Sequence, residues 1–71
     1  MKTVRECINE ARAKRNDVLI ENDEATYEER FGGGWTASGE WGWDEEEHAF
    51  DNCTVVKVVE LEEGITIITV E

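Results

Sequence analysis

Seventy-one residues allow a single domain, and 18 Asp and Glu against 7 Lys and Arg give a formal net charge of −11 in a chain without proline. A chain this acidic lacks the basic face that direct binding of nucleic-acid phosphates requires, and an anionic membrane repels it. No apolar run approaches the ~18 residues of a spanning helix, and residues 1–6 lead into no signal-peptide core, so a soluble cytoplasmic chain is expected.

The charge is unevenly placed. Residues 1–16 carry five cations (Lys2, Arg5, Arg12, Lys14, Arg15) against two acids (Glu6, Glu10), whereas residues 17–71 carry two cations (Arg30, Lys57) against sixteen acids. The basic stretch reads as a helix over about 4–15. Thr3 and Glu6 form a capping box, and Val4, Cys7, Ile8 and Ala11 recur at helical spacing to give one narrow apolar stripe. Lys14 and Arg15 suit the negative end of the helix dipole, and Asn16-Asp17 is a stop. So narrow a stripe predicts packing on a sheet rather than burial in a bundle.

Val18-Leu19-Ile20 reads as a first strand, and 25–31 as a second with Ala25, Tyr27, Glu29 and Phe31 on one side. Residues 32–43 combine five glycines with three tryptophans. They read either as two strands around a tight Ser38-Gly39 turn or as a glycine-rich loop. Residues 54–61 and 65–70 are rich in β-branched side chains and flank Glu62-Glu63-Gly64, which predicts a C-terminal hairpin. Both of its strands are partly apolar on both faces, so both are expected to be central, with the helix on one side and aromatic residues on the other. The expected architecture is α+β: one domain over 1–71, with an N-terminal helix packed on an antiparallel sheet of three to five strands that ends in the C-terminal hairpin.

Little in the chain suggests chemistry. Cys7 and Cys53 lie far apart and form no Cys-x-x-Cys pair, so reduced, mostly buried thiols are expected rather than a zinc site. The glycine run lacks the Lys-Ser or Lys-Thr of a phosphate loop and the spacing of a dinucleotide fingerprint. The acids of 40–51 do not follow the calcium-loop pattern. His48 stands beside Asp44-Glu45-Glu46-Glu47 and Asp51 without a nucleophile or an orienting partner, and reads as a solvated surface histidine. No catalytic residue, metal or cofactor is expected. A domain this small buries a modest core, so homodimerisation stays open.

The acids and tryptophans remain as candidates for partner binding. Six acids fall in 17–29 (Asp17, Glu21, Asp23, Glu24, Glu28, Glu29) and six in 40–51 (Glu40, Asp44, Glu45, Glu46, Glu47, Asp51). Trp35, Trp41 and Trp43 either complete the core or anchor a partner as binding hot spots, and Trp41 and Trp43 share a face if their stretch is extended. A domain of this length is about 29 Å across. Duplex DNA of that length carries about 17 phosphate charges. The sixteen acids of 17–71 are of the same order.

A small, proline-free, acidic single domain of this character resembles the acidic inhibitors made by bacteriophages and mobile elements, including anti-CRISPR and anti-restriction proteins. The resemblance implies stoichiometric, non-enzymatic inhibition. The acids Glu21, Asp23, Glu24, Glu28, Glu29, Glu40 and Asp44 to Glu47 would occupy the Lys/Arg-lined groove of a host-defence nucleoprotein complex or nuclease. Trp41 and Trp43 would add an aromatic contact. The competing readings are a regulatory or structural interaction domain for a basic partner protein, and a small metal-binding or enzymatic domain around His48.

Overall fold

A computed structural model of the protein describes residues 2–39, 41 and 50–71. Helix α1 (Val4–Ala13) begins at the capping box: the Thr3 hydroxyl accepts from the Glu6 amide at 3.1 Å, and the Glu6 carboxylate accepts from the Thr3 amide at 3.3 Å. Two amides that a helix start leaves without partners are thereby satisfied. At the other end the Arg15 amide donates to the Arg12 carbonyl at 3.0 Å and the Asn16 amide to the Ala11 carbonyl at 2.9 Å. This is a Schellman closure, with Arg15 in the left-handed region at φ 60°. Lys14 and Arg15 are thus the cap rather than helix, which makes α1 shorter than the charge pattern suggests.

Strands β1 (Asp17–Glu21), β2 (Ala25–Glu29), β3 (Trp35–Gly39), β4 (Val55–Leu61) and β5 (Ile65–Val70) form one sheet in the order β3-β2-β1-β5-β4. The architecture is the expected α+β one, a helix on a five-stranded sheet with the C-terminal hairpin in place. The sheet is mixed rather than wholly antiparallel, because β5 runs parallel to β1, with Val18 beside Thr66 and Ile20 beside Ile68. Hydrophobic alternation sets which face a residue takes, and not which strand lies next to it. Putting β5 beside β1 places two strands with apolar residues on both faces, Val18-Leu19-Ile20 and 65–70, at the interior of the sheet.

The glycine-rich stretch divides into a loop and a strand. Arg30 and Gly34 pair across the turn at 3.2 Å, Gly32 adopts φ 74°, and β3 starts at Trp35. The chain leaves β2 at Glu29, so Phe31 lies in this turn, where its amide donates to Asp17 Oδ1 at 2.9 Å.

On one side of the sheet Val4, Cys7, Ile8 and Ala11 of α1 pack with Val18, Ile20, Ile68 and Val70. Thr66 is buried among them, with its hydroxyl accepting from the Asn16 side-chain amide at 3.2 Å. Towards β2 and β3 the same side is filled by aromatic rings. Tyr27 lies 4.9 Å from Phe50 and 5.6 Å from Trp35, and Trp41 meets Phe50 edge-on at 5.9 Å. Helix and aromatic cluster therefore share one face, which corrects the expectation of helix on one side and aromatics on the other. The stripe of α1 reaches across β1 and β5 only. As a result β4 is an edge strand rather than a central one, and Val58 on its helix side stays 44% exposed. Cys7 is buried and Cys53 half-buried, and no disulfide joins them.

Candidate functional site

Three cations of the N-terminal stretch pair with acids of the sheet and its loops, and a fourth pairs with an acid of α1. Arg12 grips Glu29 through Nε at 2.8 Å and an NH2 group at 2.7 Å. Lys14 pairs with Glu60, Arg5 with Asp51 at 3.1 Å and Lys2 with Glu10 at 2.7 Å. Four of the seven cations are thus neutralised on the helix side of the molecule. Exposed pairs of this kind add little stability. Their larger consequence here is to fix where positive charge is consumed.

Glu29 is the best held of these acids. The Arg12 guanidinium lowers its pKa, partial burial opposes that shift, and the Tyr27 hydroxyl, donating at 3.0 Å, adds to it. Glu29 was expected on a partner-binding surface. The structure places it on the helix side of β2 as a clamp between helix and sheet. Burial pushes the Cys7 thiol up, which keeps it protonated and inert.

The other acids of the first cluster lie elsewhere. Asp23 and Glu24 occupy the β1–β2 turn, where the Asn22 side chain accepts from the amides of Glu24 and Ala25 at 2.8 and 2.7 Å. Because β1 and β5 are parallel, Glu71 falls at this same end, and Asn22, Asp23, Glu24 and Glu71 line one depression with Val56 and Thr69. Glu62 and Glu63 stand at the opposite end in the β4–β5 turn.

Asp17, Glu21 and Glu28 project from the sheet face away from α1. Register defines three rows across that face. The first runs Thr36, Glu28, Leu19, Ile67, Val59; the second Ser38, Thr26, Glu21, Thr69, Lys57; the third joins Asp17, Ile65 and Leu61. Leu19, Val59, Ile65 and Ile67 are half-buried there and Leu61 is 38% exposed. Arg30 approaches Glu28 at 3.8 Å. Among the described residues, Arg30 and Lys57 are the cations nearest this face.

Trp41 is 5% exposed and belongs to the core, one of the two roles its sequence left open. Glu40, Trp43, Asp44, Glu45, Glu46, Glu47 and His48 lie outside the described residues. Trp41 and Phe50, on either side of 42–49, are both in the core. Among the described residues the exposed aromatics are Trp35, stacked on Tyr27, and Phe31. Trp35 thus takes the exposed one of the two roles its sequence leaves open, and Phe31 is exposed because β2 ends before it. The apolar residues of the open face were visible as two-sided strands but were assigned to burial. Among the described residues no cluster of three or more His, Cys, Asp or Glu is arranged to hold a metal. No described helix is long and apolar enough to cross a membrane.

No protein-family model, curated protein or solved structure matches this chain.

Proposed function

We propose that this protein acts by binding rather than by catalysis, as an acidic domain that occupies a basic, nucleic-acid-binding surface of another protein. The partner class is a nuclease or a host-defence nucleoprotein complex, in the manner of the anti-CRISPR and anti-restriction inhibitors it resembles. One observation carries this reading: the charge is segregated by the fold. Four of the five cations of residues 1–16 are consumed in ion pairs, whereas Asp17, Glu21, Asp23, Glu24, Glu28, Glu62, Glu63 and Glu71 lie on the open sheet face and at its two ends, where Arg30 and Lys57 are the cations. The molecule measures 29 × 28 × 17 Å. Duplex DNA of the longer dimension carries about 17 phosphate charges. Setting aside the paired Glu28, Glu29, Asp51 and Glu60, the other twelve of the sixteen acids of residues 17–71 are of the same order of magnitude.

Self-repulsion at this charge works against a small domain, and solubility alone is served by a net charge of about 2–8 in magnitude. A basic partner relieves the repulsion. The test is capture from a bacterial lysate on the immobilised protein at 0.1 M and 1 M salt, with the retained proteins identified. A nucleic-acid-binding partner held at low salt and released at high salt supports the reading. A partner with no nucleic-acid-binding surface, or retention indifferent to salt, overturns it.

A further inference from the structure

The face of the sheet opposite α1 combines two features that charge alone does not explain. Leu19, Ile65, Ile67, Val59 and Leu61 sit on three adjacent strands, β1, β5 and β4, in two neighbouring rows. At strand spacings of about 4.8 Å and two-residue steps of about 6.7 Å, their Cα positions span about 10 by 7 Å. Asp17 and Glu28 lie in the same rows, Glu21 lies in the next row with Lys57 at its far end, and Glu62 and Glu63 stand at the adjoining turn. The apolar patch therefore has an acidic rim.

We propose that this open face is the docking surface for the basic partner, and that the partner presents apolar side chains flanked by Lys or Arg. The inference rests on the proposed function and adds to it where contact is made and what chemistry supplies specificity. Charge complementarity selects the occupant. A second copy docked face to face would lay one face carrying Asp17, Glu21 and Glu28 with Lys57 onto an identical one, so acids outnumber cations on both sides of the contact. An anionic lipid surface is repelled for the same reason. A basic protein surface satisfies the rim, and its apolar centre covers Leu19, Ile67 and Val59. Specificity needs such a centre, since charge alone makes an acidic protein bind many basic ones weakly.

The test uses two synthetic heptapeptides of equal charge, one alternating Lys and Leu and the other alternating Lys and Ser. Each is titrated into the isotope-labelled protein at 0.1 M salt and followed by amide chemical shifts. The Lys-Leu peptide should bind at least tenfold more tightly and shift the amides of Leu19, Val59, Leu61, Ile65 and Ile67. In the triple variant Leu19→Thr/Val59→Thr/Ile67→Thr, which preserves charge and places a β-branched residue at each strand position, that advantage should vanish while Lys-Ser binding is unchanged. The comparison in the parent protein stands even if the variant does not fold. Equal affinity for both peptides, or shifts confined to residues 21–24 and 71, would overturn the docking surface and leave the charge-based function standing. No binding of either peptide would overturn both. Concentration-dependent shifts of the same five amides without peptide, together with a dimer in sedimentation, would assign the face to a second copy instead.

Discussion

Replacing Phe50 tests how the two halves of the core are joined. Phe50 is 2% exposed, with its ring 4.9 Å from Tyr27 on β2, 5.9 Å from Trp41 and 5.7 Å from the Arg5 guanidinium on α1. A domain of 71 residues has a total stability of roughly 4–11 kcal/mol. Phe50→Ala removes the buried ring and leaves a cavity, at a cost of about 3–5 kcal/mol. Phe50→Leu keeps most of the volume and loses the ring contacts, at about 1–2 kcal/mol. Urea unfolding followed by far-UV circular dichroism measures both. A double-mutant cycle with Tyr27→Leu should show a coupling of about 0.5–1.5 kcal/mol, since the two rings are in contact. A loss below about 1 kcal/mol for Phe50→Ala would refute the reasoning, because the helix and the β2–β3 half would then be joined by something other than this ring.

Glu29 gives the protein a defined acid limb. Its folded-state pKa is lowered, so its contribution is complete above the ordinary carboxylate value and is lost as pH falls through the lowered one. Glu29→Gln should cost about 1 kcal/mol at neutral pH, discounted for the exposure of Arg12, and should flatten the stability profile below about pH 4.5. An unchanged acid limb contradicts this. Gly39 adopts φ 68°, and a Cβ there would lie 2.0 Å from the Glu24 carbonyl oxygen and 2.8 Å from Ala25 Cα. Gly39→Ala should therefore cost more than about 2 kcal/mol in urea unfolding, and a loss under about 1 kcal/mol would contradict the close β2–β3 approach. Arg15 sits in the left-handed region without being glycine. Arg15→Gly should raise stability by about 0.5–1 kcal/mol, and a fall would show that the arginine side chain offsets its own backbone strain.

Local pattern carried the elements well and the arrangement poorly. Thr3 and Glu6, the Val4-Cys7-Ile8-Ala11 stripe and the Glu62-Glu63-Gly64 turn each report on neighbours a few residues away, and the helix and the C-terminal hairpin formed where they pointed. Strand order depends on pairings between residues far apart. The parallel β1–β5 contact, which sets the acids of residue 71 and the β1–β2 turn at one end, has no local signature. The same limit hid the open face. Ile65 and Ile67 read as apolar on both sides of a strand, which predicts burial on both sides. In the fold α1 and the rings of Tyr27, Trp35, Trp41 and Phe50 are on the other face. The acid clusters were legible as charge, yet Glu29 and Glu28, adjacent in sequence, project to opposite faces of β2, one as a clamp to Arg12 and the other into the open rows.

The central claim is that this protein and a nucleic acid compete for one basic surface. Its most direct test is displacement of a fluorescent duplex from the partner captured at low salt, titrated with this protein at 0.1 M salt and followed by anisotropy. The account predicts stoichiometric release of the duplex, with an association rate for the protein that falls steeply as the Debye length contracts from about 10 Å at 0.1 M to about 3 Å at 1 M salt. A ternary complex in which the partner holds duplex and protein together would contradict it.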